Sequence, residues 1–332
     1  MKLSEFNYYL PKELIAQHPA RPRDDCRLMV LHKDKTKDKI VHERFFDIIK
    51  YLNKGDVLVM NSTKVIQAKL VGNKSSGSSA EIILTKEIDK KKNIWECRIK
   101  TRNPHPGVKI FLDKGYGIIM EQISIDRFKI RLSNKKLLQK AILPNPPYIK
   151  HDVTSEEYQT IYAKHDGSLA APTAGLHFTK TLLKKIKDKG VKIAFVRLHV
   201  GFGTFLQLPE DIKNHKTEPE YFEIPENTAD LINRRKGRLF VVGTTTLKAL
   251  ESSSEKGKII PSKGYSDIFV RPGHIFSCGA DALLTNFHLP KSSLILLTCA
   301  FGGSKKIINA YSQAIRHNYR FYSLGDAMLI EK

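Results

Sequence analysis

Residues 179–201 read TKTLLKKIKDKGVKIAFVRLHVG. Leu182, Leu183 and Ile186 recur at helical spacing and share one helix face, and Gly190 stops the helix. The period then falls to two. Residues 191–200 become a strand on which Arg197 and His199 continue the face begun by Val191, Ile193 and Phe195. An apolar face therefore turns polar just before Gly201. Helix, glycine and strand in this order indicate an α/β sheet, whose ligands usually lie beyond the carboxyl ends of the strands.

The same arrangement recurs along the chain. GDVLVMNST (55–63) reads as a buried strand with a polar end. RLFVVGTTTLKALESS (238–253) is a strand over 239–242, a GTTT turn and a helix with Leu247 and Leu250 inward. The start of that helix has two readings: its free N–H groups receive an anion or carboxylate, or Thr244–Thr246 merely cap it. LLTNFHLPKSSLILLTCAFGG (283–303) puts TNFH on a loop, with a helix from near Pro290 to Gly302–Gly303. KKIINAYSQAIRHN (305–318) is an amphipathic helix with Ile307, Ile308, Tyr311 and Ile315 on one side. YRFYSLGDAML (319–329) reads as two strands around a turn.

Between 66 and 145 the texture differs. Short segments such as AEIILTK, IWECRIK, YGIIMEQI and RFKIRLS alternate with turn-like pieces such as NKSSGSS and NPHPG. That rhythm predicts a small β-barrel, and LPNPPY (143–148) is its stiff exit. The expected fold is thus a larger α/β domain with a mixed sheet, residues 1–65 plus 148–332, interrupted by a small inserted β-barrel domain, residues 66–147.

Bulk properties limit the function. The longest apolar run, LILLTCAF (294–301), is far short of the ~20 residues a membrane helix needs. The first residues, MKLSEFNYYLPKEL, lack a signal peptide's apolar core. A cytoplasmic protein is expected. Cys26, Cys97, Cys278 and Cys299 are scattered, so neither a zinc site nor a disulfide framework is expected. GFG (201–203) lacks the third glycine of a dinucleotide fingerprint, and phosphate-loop and nucleophile-elbow motifs are absent. The net charge is +22, with basic clusters at 86–102, 179–192, 233–238 and 305–320. A polyanion partner explains it, since Lys and Arg replace the counterions of phosphate. Biased codon usage, with lysines on solvated helix faces, is the other explanation.

Three histidines stand out together. His177, His199 and His288 each lie among Gly, Ala, Thr, Asn and Phe, in AAPTAGLHFT (170–179), VRLHVGFGTF (196–205) and TNFH. Singly each would be a structural histidine; jointly they fit a pocket that holds a heterocycle and titrates near neutrality. Up to this point the residues indicate a basic two-domain protein acting on a nucleotide or RNA, without fixing the reaction.

These segments, with LPKELIAQHPARPRDDCRLMVL, GDVLVMNSTKVIQAKL, VGTTTLKALES, DALLTNFHLPKSSLILL and YRFYSLGDAML, resemble the S-adenosylmethionine:tRNA ribosyltransferase-isomerases of queuosine biosynthesis, from residue 3 to 330 and in that family's order. The resemblance implies an α/β domain with an inserted barrel. It implies transfer of the ribosyl group of S-adenosylmethionine to 7-aminomethyl-7-deazaguanine at the wobble position of tRNAs with GUN anticodons. The sugar is isomerised to give epoxyqueuosine, and adenine and methionine are released. S-adenosylmethionine is consumed as a substrate, and no metal or redox cofactor is implied. The partner would be tRNA, with the protein a monomer.

Roles follow from the chemistry, not from the resemblance. A sulfonium acidifies the ribose 5′ protons, and adenine leaves more easily once protonated, so histidines are suited as base and acid. We assign His177 as base, and His199 as proton donor or orienter beside Arg197. Phe178, Phe205 and Phe287 are candidate stacking surfaces, with core packing the equal alternative. Gly243, Thr244 and Thr245 are expected to take the methionine carboxylate. Asn61, Thr63, Asn286 and Asp326 are expected partners of sugar hydroxyls or base edges. Thr173, Ala174, Gly175, Gly201, Gly203 and His288 complete the expected lining. Four places depart from the family pattern: Ser79 stands for a lysine, Glu218 for a histidine, Lys248 for an arginine, and Gly279 with Ala280 for valines. A non-catalytic tRNA-binding protein of the same fold is the alternative.

Overall fold

The computed structural model describes residues 2–32, 40–205, 208–212, 215 and 217–332, with the side chain of Phe205 left out. The chain divides into two compact units. One comprises residues 1–64, 146–150 and 155–332; the other comprises 65–145 and 151–154. The proline-rich exit thus returns to the first unit at 146, and 151–154 rejoin the second.

In chain order the strands are β1 (Arg27–Leu31), β2 (Ile40–Arg44), β3 (Val57–Asn61), β4 (Lys69–Lys74), β5 (Ser79–Asp89), β6 (Ile94–Lys100), β7 (Lys109–Leu112), β8 (Gly115–Gln122) and β9 (Arg127–Leu132). They continue as β10 (Lys192–Leu198), β11 (Glu220–Ile224), β12 (Leu239–Val242), β13 (Ser262–Ser266), β14 (Ala282–Asn286) and β15 (Ala327–Glu331). The main helices are α1 (Lys180–Asp188), α2 (Glu226–Asn233), α3 (Thr244–Glu251), α4 (Ser293–Gly302) and α5 (Ser304–Arg316).

The larger unit is built on a nine-stranded mixed sheet of order β13-β11-β10-β3-β12-β14-β15-β1-β2. Its centre, β10-β3-β12-β14, is parallel. β15 runs antiparallel to β14 and parallel to β1. β3, β12 and β14 are buried at every position because both faces are covered. Alternation sorts them: Val57, Val59, Leu239 and Val241 pack with α3, α4 and α5, while Leu58, Met60, Phe240 and Val242 pack with α1. Leu182 and Ile186 of α1 are buried there, as their spacing predicts.

The smaller unit is a closed six-stranded barrel of order β9-β6-β5-β4-β7-β8. Its pairings are all antiparallel. Closure removes exposed sheet edges, and Leu70, Ile82, Ile110, Phe128 and Ile130 fill the interior.

Local expectations differ from the structure in three places. α4 starts at Ser293, not near Pro290: Lys291 has a φ of +56°, which a helix excludes, and the Ser292 hydroxyl caps the start by accepting from Ile295 N at 3.3 Å. Thr285 and Asn286 end strand β14, so only Phe287 and His288 of TNFH lie beyond it. YRFYSLGDAML forms one strand, not two. Arg320 N and O are taken by Asp326, and Tyr322 has a φ of +73°, so Phe321 makes only an isolated bridge to Ile15.

Candidate active site

The parallel strands β10, β3, β12 and β14 end side by side, and the segments that follow β10, β12 and β14 border two adjoining clefts. The first encloses about 650 Å³ between Thr173, Ala174, Gly243–Thr245, Asn286, His288 and Tyr322. The second, of about 920 Å³, is lined by Gly201, Gly203, His215, Glu218, Glu220 and Lys248. Thr204, Thr244, Thr245 and Leu294 border both. The sheet position is the one the polar strand end predicts.

Gly243 supplies the turn into α3 with a φ of +87°, a conformation that favours glycine. It is the N-cap residue and gives no side-chain cap. The threonines are otherwise engaged: Thr246 Oγ1 donates to Val242 O at 2.5 Å, and Thr245 Oγ1 accepts from Asn61 at 3.3 Å. The helix start therefore faces the clefts uncapped. Behind it, Lys248 pairs with Glu220 at 3.0 Å, and Glu220 also accepts Gly201 N at 2.8 Å. This links the loop after β10 to α3. A side chain at Gly203 would meet Glu218 Oε2 at 3.1 Å. Two departures from the family pattern, Glu218 and Lys248, thus sit at the second cleft, whereas Ser79 is exposed at the start of barrel strand β5.

His177, the expected base, ends the short helical turn Thr173–His177 ahead of α1. It is buried under Phe45, and it is not among the residues lining either cleft. Asn286 Nδ2 faces its Nε2 at 3.0 Å and Cys26 Sγ its Nδ1 at 3.1 Å. Asn286 Oδ1 accepts from the Thr173 hydroxyl at 2.9 Å, and the carbonyls of Tyr322 and Asp326, which only accept, fix Nδ2 on the other side. His177 therefore accepts at Nε2 and carries its proton at Nδ1. Burial, reinforced by Arg320 and Arg23, pushes its pKa down to about 3. With its lone pair used and its protonated form excluded, it braces Asn286 and, through it, Thr173 on the cleft wall.

His288 does line the first cleft, but both ring nitrogens are bonded: Nε2 to Thr285 at 3.2 Å, Nδ1 to Thr298 at 3.1 Å and Tyr311 at 3.3 Å. Burial pushes its pKa down to about 3. His199 is different. Thr63 Oγ1 lies 2.8 Å from Nδ1, Tyr221 stacks on the ring, and among the described residues Nε2 has no partner. A Cβ at Gly167 would lie 2.8 Å from the imidazole, so glycine is needed there. Burial first, then Arg197 and His165, lowers the His199 pKa. Arg197 pairs with Glu223 at 2.8 Å and approaches His165 Nδ1 at 3.0 Å. Arg197, His199 and Thr63 form a group at the end of β10 that the clefts' lining does not include.

Several expected ligand contacts are internal supports. Phe178 and Phe287 are core residues with no exposed surface; Phe178 meets Phe45 edge-on. Asp326 is buried and accepts Arg27 N at 3.0 Å and Arg320 N at 2.7 Å. Asn61 bonds the backbone of Thr63 and Leu198. Gly175 makes room for the Tyr162 hydroxyl, which any side chain there would overlap. The Phe205 side chain lies outside the described residues. Conversely, Tyr148 and Tyr322, whose tilted rings lie 4.3 Å apart, and His215, edge-on to Phe269 at 5.1 Å, line the clefts and were missed. Tyr148 lay in the proline-rich exit and Tyr322 in a presumed strand. Nothing in the sequence around His215 marks it.

The profile of the family described as "Queuosine biosynthesis protein" matches residues 3–330. The chain belongs to this family. It is 45% identical, over 99% of its length and 100% of the relative's, to the S-adenosylmethionine:tRNA ribosyltransferase-isomerase of Carboxydothermus hydrogenoformans. The protein of that name from Thermosipho africanus is also 45% identical, with 99% and 100% covered. A crystal structure of S-adenosylmethionine tRNA ribosyltransferase from Thermotoga maritima is 34% identical, with a TM-score of 0.58 over 98% of this chain and 100% of that one. The chain is an enzyme of the transferase-isomerase kind found in queuosine biosynthesis.

Proposed function

We infer that this chain transfers the ribosyl group of S-adenosylmethionine to 7-aminomethyl-7-deazaguanine at the wobble position of GUN-anticodon tRNA and isomerises it to give epoxyqueuosine. Methionine departs with the C5′–S bonding pair and adenine with the C1′–N9 pair. S-adenosylmethionine is consumed and no metal or redox cofactor takes part. The carrying observation is 45% identity across 99% of the chain to a relative named for this activity. The protein acts as a cytoplasmic monomer.

The clefts, and the group at the end of β10, support this chemistry. The uncapped start of α3 suits the methionine carboxylate, because free N–H groups and the helix dipole favour an anion. Among the three histidines first singled out, only His199 keeps a free ring nitrogen among the described residues. Its lowered pKa leaves it neutral at pH 7 and able to accept a proton. With Thr63 accepting from Nδ1–H, Nε2 offers its lone pair. His215, in the second cleft, is the other candidate for proton transfer.

The test is turnover of ribose-labelled S-adenosylmethionine with tRNA carrying the deazaguanine, scored by label on tRNA and free adenine. Equal amounts of both are expected. His199→Ala is expected to lose ~10²-fold or more in kcat while still binding tRNA. A wild type that binds tRNA and moves no label would point instead to a non-catalytic binding protein. Loss of turnover on His215→Ala alone would move proton transfer to His215.

A further inference from the structure

We propose that one pocket of the barrel is a binding site for RNA backbone phosphates, separate from the catalytic clefts. The site rests on the assignment of tRNA as substrate. Between residues 65 and 145 there are 17 Lys and Arg against 7 Asp and Glu. Five of these cations have carboxylate partners: Lys69 with Asp152, Arg98 with Asp126, Arg127 with Glu96, Lys129 with Glu121 and Lys140 with Asp113. Of the others, Lys91, Lys92, Arg131 and Lys135, which have no carboxylate partner among the described residues, line one pocket of about 670 Å³.

The pocket's floor is fixed. Lys91 N and Lys92 N both donate to Asp89 Oδ1, at 2.9 and 3.0 Å, which sets the turn between β5 and β6. Asn93 bonds Leu132 at the end of β9 in both directions, each at 3.0 Å. Tyr116 exchanges two bonds with Ser133, and Lys109 Nζ lies 3.8 Å over its ring. Two segments distant in sequence thus bring four cations without carboxylate partners to one hollow, which Tyr116 of a third segment helps to line. Convergent like charge is unfavourable in the free protein, and it becomes favourable when phosphates replace their condensed counterions. The exposed lysine heads, with flexible stems, suit phosphate oxygens rather than base edges.

The test compares two double variants that remove equal charge from the same barrel. One is Lys91→Gln with Lys135→Gln, in the pocket; the other is Lys129→Gln with Lys140→Gln, whose cations are paired. The affinity of an unmodified tRNA transcript is measured across a salt series, and fluorescence of Trp95, the one tryptophan, checks that the barrel is folded. Two lost phosphate contacts at about 0.7 each lower the slope of log K against log salt by about 1.4 and weaken binding roughly tenfold at about 0.15 M salt. The paired double is expected to keep the wild-type slope. The tRNA KM should rise in the pocket double with kcat unchanged. Equal slopes in both doubles, or no change in the pocket double, would overturn the site. A wild type that transfers label while the pocket double is silent would remove the site alone. One that binds through the pocket but transfers nothing would remove the assigned reaction alone.

Discussion

Replacing His177 by Gln or by Phe separates bracing from proton transfer. In Gln the side-chain oxygen stands near the place of Nε2 and still accepts from Asn286; Phe fills the space and accepts nothing. Losing this hydrogen bond should cost about 0.5–1.5 kcal/mol in His177→Phe, because Asn286 Nδ2 keeps Tyr322 O at 3.2 Å and Asp326 O at 3.4 Å, and His177→Gln should recover much of it. The pH dependence is sharper. A histidine whose pKa falls from the ordinary 6.5 to about 3 on folding is neutral in the native state at pH 5 and above. Its contribution to stability is full above pH 6.5 and is lost as pH falls towards 3, because the unfolded chain takes up the proton first. At pH 5 the loss is about 2 kcal/mol per histidine by linkage. His177 and His288 share this behaviour, so together they lose about 4 kcal/mol between neutrality and pH 5. His177→Gln should lose only the His288 half, and its stability relative to wild type should improve by about 2 kcal/mol over that interval. Urea unfolding at pH 7 and pH 5, followed by helical ellipticity, measures this in the larger unit, which holds all the α-helices of the described residues. Turnover of His177→Gln should stay within about tenfold of wild type, against the ~10²–10⁴-fold loss expected of a missing base. A loss in that range with stability and S-adenosylmethionine binding intact would refute the bracing role, as would a stability difference that ignores pH.

Lys248→Met leaves Glu220 with little solvent and no cation, and loosens the loop that Glu220 holds by Gly201 N. S-adenosylmethionine affinity by calorimetry should fall at least tenfold, while Lys248→Arg stays near wild type. His199 titrates below 6.5, so kcat/KM should be level above neutrality and fall as pH drops through that lowered pKa. His199→Ala should abolish this acid limb. Gly175→Ala should lower the melting temperature of the larger unit, with a cost of about 1–3 kcal/mol for overpacking. Adding Tyr162→Phe, which removes the overlapping hydroxyl, should restore part of it.

The architecture was legible because both kinds of periodicity are strong. Helical spacing marked α1 and α5, and the dense β-branched segments with their turns marked the barrel. What escaped was set by single residues. Lys291 and Tyr322 adopt positive φ with no glycine to announce it, and Asp326 takes the backbone groups that a second strand would have used. The site was legible as a place, since the strand ends pointed to Gly243, Thr244 and Asn286, which line the first cleft. It was not legible as roles. Whether a histidine beside small residues faces a ligand or an amide depends on partners such as Cys26, which is 151 residues from His177 in sequence. Burial of Phe178 and Phe287 is likewise a property of the assembled sheet.

The place of β15 bears on how the protein is made. Leu28 of β1 pairs with Ala327, and Asn286 of β14 pairs with the same residue on its other side. On a translating ribosome β1 must wait for about three hundred further residues before that flank is filled, exposing Met29 and Leu31 to chaperones or to other nascent chains meanwhile. The barrel strands all lie between Lys69 and Leu132, so that unit can close soon after it emerges. A synthesis order of barrel first and large sheet last follows. Stalled chains that end before β15 should carry a folded barrel beside an incomplete sheet.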